Sequence, residues 1–181
     1  QLQFSASDNN WVVGNNEQKS TDHKFVHVGR PVRELKDMTM EDYAPTGGTP
    51  LLDAIGYGIE KLKWFHGNKL GDENLKIIVT IFTDGEENSS RKWNKGEIKK
   101  MIEHFQSDGK WTFTFVGCGS LDNVTATSSN LGISTSNTVA YHSSDEGTAE
   151  AYSKIATSYS NFARSAKLGT VDNDLFTKKS L

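Results

Sequence analysis

The sequence predicts an α/β domain: a doubly wound, mostly parallel sheet with helices on both faces. Three observations lead there. The run Ile77-Ile78-Val79-Thr80-Ile81-Phe82 is continuously apolar and β-branched, as suits a central strand covered on both sides. Apolar residues at helical spacing separate this run from two further strand-like runs. The resulting order, helix, strand, helix, strand, helix, strand, helix, implies right-handed crossovers and a parallel sheet.

In chain order, Leu2 to Ser5 and Lys24 to Val28 read as strands separated by a polar stretch, forming an irregular part or a hairpin. Leu51, Leu52, Ile55, Ile59 and Leu62 mark the first clear helix, with Pro50 at its first position and Thr49 as N-cap. The first clear strand spans Leu75 to Phe82 and ends at Thr83-Asp84-Gly85. Ile98, Met101, Ile102 and Phe105 mark a second helix, for which Asn94 and Glu97 resemble a capping box. Trp111 to Val116 forms the next strand, stopped by Gly117-Cys118-Gly119. A weaker helix runs from about Asp122 to Leu131 and ends at Gly132. Thr138 to Tyr141 is a short strand. The last helix carries Tyr152, Ile155, Tyr159, Phe162 and Ala166 on one face, and Gly169 closes it. Residues 1–169 therefore read as one α/β domain, and 170–181 as a polar, mobile C-terminal tail.

Composition narrows the function classes. The 181 residues carry 20 basic and 23 acidic side chains, a formal net charge of −3, with no basic stripe for nucleic acid. No apolar stretch reaches membrane-spanning length. Cys118 is the only cysteine, so neither an intramolecular disulfide nor a thiolate zinc site is available. That favours a reducing compartment, a cytoplasm or a phage particle, and leaves secretion open.

In open parallel sheets, ligands bind outside the carboxyl ends of the strands. Two segments fall on that rim: Thr83-Asp84-Gly85, and Thr46-Gly47-Gly48-Thr49-Pro50 before the first clear helix. A converging carboxylate and hydroxyl are hard oxygen donors suited to Mg²⁺ or Ca²⁺. Each has a plainer explanation as well. Thr49 serves equally as a helix N-cap, and Asp84-Gly85 as an ordinary turn.

Several segments in the same order resemble von Willebrand factor A (vWA) domains, in particular a bacterial and phage branch of that family. They are Tyr43-Ala44-Pro45-Thr46-Gly47-Gly48-Thr49, Gly48 to Ile55, Ile78 to Asn88, Phe113-Thr114-Phe115-Val116-Gly117 and Asp145-Glu146-Gly147-Thr148, covering about Lys24 to Ala166. The resemblance implies a Rossmann-like fold and a metal-ion-dependent adhesion site. There Mg²⁺ (or Ca²⁺ or Mn²⁺) engages an acidic residue of a protein partner. Thr49 and Asp84 match two of that site's loops, with Gly47, Gly48, Gly85 and Glu86 on the partner-binding rim. The family's first loop, Asp-x-Ser-x-Ser after the first strand, is not in this sequence; Ser5-Ala6-Ser7-Asp8 has the wrong order. The expectation is a chain that starts downstream of its natural N-terminus, because deleting a central strand removes more buried apolar surface than a marginally stable fold can spare. The alternative is a domain without the metal site, its gap filled by a partner's strand.

The remaining candidates read more plainly. Glu86 and Glu87 are adjacent on a loop, so their side chains diverge into solvent instead of forming an acid/base pair. Asp53 sits early in a helix, where the macrodipole favours a carboxylate. The five histidines share no ligand spacing, and Cys118 reads as an inert buried thiol. Gly117-Cys118-Gly119-Ser120 lacks the lysine of a P-loop. The sequence therefore reads as a non-enzymatic protein-binding module. The alternative is a structural or assembly protein, phage-related and oligomeric in kind.

Overall fold

The computed structural model describes residues 2–4, 23–25, 30–35 and 47–177. The stretch read from sequence as one domain groups into two compact units. One comprises Gln1–Asn68 with Glu86–Asn94, the other Lys69–Gly85 with Lys95–Leu181.

In the first unit, β1 (Leu2–Phe4) pairs antiparallel with β2 (His23–Phe25), Gln3 opposite Lys24, as the hairpin reading expects. The expected continuations through Ser5 and through Val28 lie outside the described residues, as do Tyr43 to Thr46 and Ser5 to Asp8. Helix α1 (Leu51–His66) buries Leu51, Leu52, Ile55 and Ile59 of the stripe read from the sequence, with Ala54 beside them, while Leu62 is half-buried. Its cap differs. The helix starts at Leu51 after Pro50, and no side chain at that position caps it, so Thr49 is not the N-cap. The Glu87 carboxylate, from a distant loop, takes that place.

The second unit holds β3 (Ile77–Thr83), α2 (Lys95–Gln106), β4 (Trp111–Cys118), α3 (Leu121–Asn130), β5 (Thr138–Tyr141) and α4 (Asp145–Lys167). The three strands form a parallel sheet in the order β3-β4-β5, with Val79 beside Phe113 and Val116 beside Val139. Strands added in sequence order across a parallel sheet, with right-handed crossovers, place their connecting helices on one face. Side-chain alternation along β4 agrees. Phe115 points to the α3 side, where a Cβ on Gly117 would lie 2.9 Å from both Phe115 and Val124. Phe105 of α2 packs 4.7 Å from the Trp111 ring on that same side. Val116 points the other way, into a cluster with Val139, Tyr141, Ala151, Ile155 and Phe162 beneath α4. Helices therefore cover both faces of a parallel sheet, and the predicted fold class holds.

Helix α4 and the segment after it differ from the sequence reading in two places. Tyr152, placed on the buried stripe, is 57% exposed and instead stacks on Phe82 at 5.1 Å. Residues 170–177 are not a loose polar tail. The Leu175 N–H donates to Asn137 Oδ1 (2.8 Å) and the Phe176 N–H to the Ser136 carbonyl (2.9 Å). Both apolar side chains enter the cluster under α4. Two apolar residues without periodicity give no element signal, yet their burial removes enough apolar area to hold the segment down.

Tyr159 ties α4 to the sheet. Its hydroxyl hydrogen-bonds the hydroxyls of Thr114 (2.9 Å) and Thr80. Thr114 is fully buried, so Tyr159→Phe leaves its hydroxyl without that partner. The expected loss is about 1–2 kcal/mol of stability, read as a lower urea midpoint at unchanged slope.

Candidate functional site

The carboxyl-end rim of the parallel sheet is assembled by strand ends and helix starts. Thr83, the last residue of β3, folds its hydroxyl back onto the turn: it donates to the Gly85 carbonyl (3.0 Å) and accepts from the Gly85 N–H (3.3 Å). This local pairing is the Ser/Thr turn chemistry that ends strands. It leaves Asp84 exposed, with no hydrogen bond or ion pair among the described residues. Beside it, Gly119 takes a φ of 135° and its N–H donates to the Tyr141 carbonyl (3.0 Å). Ser120 and Ser144 then cap α3 and α4 by accepting from the N–H groups of Asn123 and Gly147. In the segment Asp145 to Thr148, Gly147 is required by contact, since a Cβ there would sit 2.6 Å from the His142 carbonyl oxygen. Cys118 is half-buried against the cluster under α4 and not fully enclosed.

In the first unit, the loop 86–94 is bound along the start of α1. Gly47 has a φ of 73°, and Gly48 lies so close to the loop that a Cβ would meet Asn88 Oδ1 at 2.6 Å and Ser89 Oγ at 2.8 Å. The Thr49 N–H donates to Asn88 Oδ1 (2.7 Å), and the Asn88 N–H donates to the Thr49 carbonyl (3.2 Å). Glu87 is not solvated. Its carboxylate accepts from the N–H groups of Leu52 (2.9 Å), Ser89 (3.0 Å) and Ser90 (2.8 Å), and from the Ser90 hydroxyl (2.6 Å). It caps α1 from 35 residues away, supplying the acceptor that the free N–H groups of a helix start require.

Asp53 does more than face the helix dipole. It is buried, and its carboxylate accepts from the N–H groups of Arg91 (2.8 Å), Lys92 (2.9 Å) and Trp93 (3.0 Å). Its own N–H donates to Ser90 Oγ (3.1 Å), which links the two carboxylate networks. Farther along, the Trp93 ring lies where a Cβ on Gly56 would reach 2.5 Å, and Lys92 Nζ sits 3.8 Å above that ring. Both carboxylates thus organise backbone, and neither is free for acid/base work. A weak signal is present in the string Glu87-Asn88-Ser89-Ser90, four residues that favour turns and caps, but spacing does not reveal its partner helix.

Of the residues matched from sequence, Gly47, Gly48, Thr49 and Glu86 belong to the first unit, and Asp84 and Gly85 to the second. Gly47, Asp84 and Glu86 are exposed; Gly48, Thr49 and Gly85 are half-buried. The Ser89 hydroxyl oxygen is buried beside Gly48 with no hydrogen-bond partner among the described residues. No group of three or more His, Cys, Asp or Glu side chains among the described residues could hold a metal ion. Thr49 in the first unit and Asp84 in the second each offer one oxygen, where Mg²⁺ takes six. No helix among the described residues is long and apolar enough to cross a membrane. Compared with protein-family models, with curated proteins and with solved structures, the chain matches none.

Proposed function

We propose that this chain is a non-enzymatic protein-binding module of the vWA type, in which a weakly held divalent cation at the sheet rim engages an acidic side chain of a protein partner. The observation that carries the reading is Asp84: an exposed carboxylate directly after a parallel strand, within the segment Ile78 to Asn88 that resembles the family's third motif. A cation held by few charged groups keeps enough positive charge to attract an outside carboxylate. By the same resemblance, Thr49 corresponds to the family's second-loop hydroxyl, and Gly47, Gly48, Gly85 and Glu86 to its partner-facing rim.

With only Thr49 and Asp84 matched, cation affinity is expected to be no better than about millimolar. Titration with Mn²⁺, followed by paramagnetic broadening of backbone NMR signals, tests this. Broadening at Thr49 and Asp84 together, lost in Asp84→Ala, supports the reading. Broadening elsewhere, or none up to about 10 mM, removes it. Micromolar Mg²⁺ affinity in calorimetry would contradict the incomplete ligand set. A second reading, a structural or assembly role without metal, is favoured by one specific feature: among the described residues, β3 forms an edge of its sheet.

A further inference from the structure

We infer that the open edge of β3 pairs antiparallel with the same edge of a second copy of this chain, joining two three-stranded sheets about a twofold axis at Thr80. The inference gives the assembly reading a partner and rests on that reading.

Strand β3 has a central strand's sequence in an edge strand's place. Its residues Ile77 to Thr83 are almost wholly apolar or β-branched, yet only β4 pairs with it among the described residues. Every residue of β4 from Trp111 to Gly117 is buried, whereas in β3 Ile78, Val79 and Phe82 are half-buried and Thr80 is exposed. Long apolar edges of this kind are templates for another strand, and natural proteins blunt them with proline, bulges or inward charges. None of these devices interrupts Ile77 to Thr83.

The register follows from the ladder. The Ile77 N–H donates to the Lys110 carbonyl (2.9 Å), which turns the backbone groups of residues 77, 79, 81 and 83 toward β4. The N–H and C=O groups of Ile78, Thr80 and Phe82 therefore face the edge that no strand pairs with among the described residues. In an antiparallel pair centred on Thr80, these three residues fall into hydrogen-bonded positions: Thr80 opposite Thr80, and Ile78 opposite Phe82 in both directions. The side chains match as well. Ile78 meets Phe82 across the strands, and Val79 meets Ile81 on the other face.

Charge completes the match. The same register places Lys76, just before the strand, opposite Asp84, just after it, at both ends of the pair; the Lys76 ammonium, which donates to the Gly109 carbonyl (3.3 Å), would turn to the partner's Asp84 carboxylate. Any offset of two or more residues loses this pairing. The edge is thus self-complementary in hydrogen bonds, shape and charge, as an isologous twofold interface requires.

Sedimentation equilibrium in EDTA, from about 1 μM to 1 mM, reads the association without any cation entering. A dimer is expected. Thr80→Pro removes the central outward N–H without touching the β4 ladder, and proline is tolerated at strand edges. It should weaken the dimer about tenfold or more, whereas Thr80→Val, which keeps the N–H, should not. Lys76→Glu should weaken it, and combining Lys76→Glu with Asp84→Lys should restore it. Circular dichroism checks that each variant is folded. A dimer indifferent to both Thr80→Pro and the charge reversal overturns the inference, as does a monomer at every concentration. In that monomer, amide exchange separates two failures. Fast exchange at Ile78, Thr80 and Phe82 removes only the second copy as occupant. Exchange there as slow as at Val79 and Ile81 means that the edge is covered within the chain, which removes the assembly reading too.

Discussion

Asp53→Ala is expected to cost about 3 kcal/mol and to release the loop 86–94 from α1. The magnitude follows from the role of the carboxylate. Three N–H groups, those of Arg91, Lys92 and Trp93, converge on its two oxygens at 2.8 to 3.0 Å, in a place largely closed to water. Hydrogen bonds to a charged acceptor contribute about 1.5–3 kcal/mol each, and donors stranded by truncation cost about 1–3 kcal/mol each. The three losses do not add, because the freed loop can turn its amides to solvent. Asp53→Asn keeps one carbonyl oxygen for Lys92 and Trp93, so it should lose about half as much. Two measurements check this: the urea midpoint, and hydrogen exchange at residues 91–93. In the alanine variant those three amides should exchange much faster than the amides of β4. Protection unchanged at 91–93, with stability within about 0.5 kcal/mol of the parent, would mean that the loop is held by the Trp93 and Lys92 contacts alone.

That carboxylate marks the boundary of what the sequence disclosed. Strands β3, β4 and β5 were legible because β-branched and aromatic runs leave little choice of backbone, and the helical stripes of α1 and α2 because apolar residues recur at a fixed period. Boundaries shifted where a turn or a packing contact intervened. The start of β3 moves from Leu75 to Ile77, since the Leu75 N–H is taken by a turn carbonyl at Asp72. Strand β4 runs on through Gly117 and Cys118, since both stay paired with Ala140 and Tyr141 and the missing Cβ of Gly117 admits Phe115 and Val124. The functions of Asp53, Glu87, Leu175 and Phe176 were not legible. Each depends on a partner 35 or more residues away, and no local period encodes such a distance. Thr49 illustrates the same limit: a threonine before proline reads as a cap, and only the arrival of Glu87 at the Leu52 N–H shows that the helix start is served from elsewhere.

Phe113→Ala is expected to have the largest effect on the second unit, about 3–5 kcal/mol. Phe113 is fully buried at the middle of β4, the strand that pairs with both neighbours, and its ring stacks 6.1 Å from that of Trp111. Its removal leaves a cavity that β4 cannot close by shifting, because Val79 holds its backbone position on one side. Phe113→Leu, which keeps most of the volume, should cost less than about 1.5 kcal/mol. Urea unfolding measures both, and an alanine variant that loses under about 1 kcal/mol would place Phe113 outside the packing that holds the sheet. The consequence reaches the rim. Thr83 is paired with Gly117, and Asp84 is the next residue, so the exposed carboxylate is positioned by the same ladder that Phe113 anchors. Ile78, Thr80 and Phe82 keep their outward register through that ladder as well. A β4 disrupted in Phe113→Ala should therefore weaken self-association along β3, whereas Phe113→Leu, whose fold survives, should leave it unchanged.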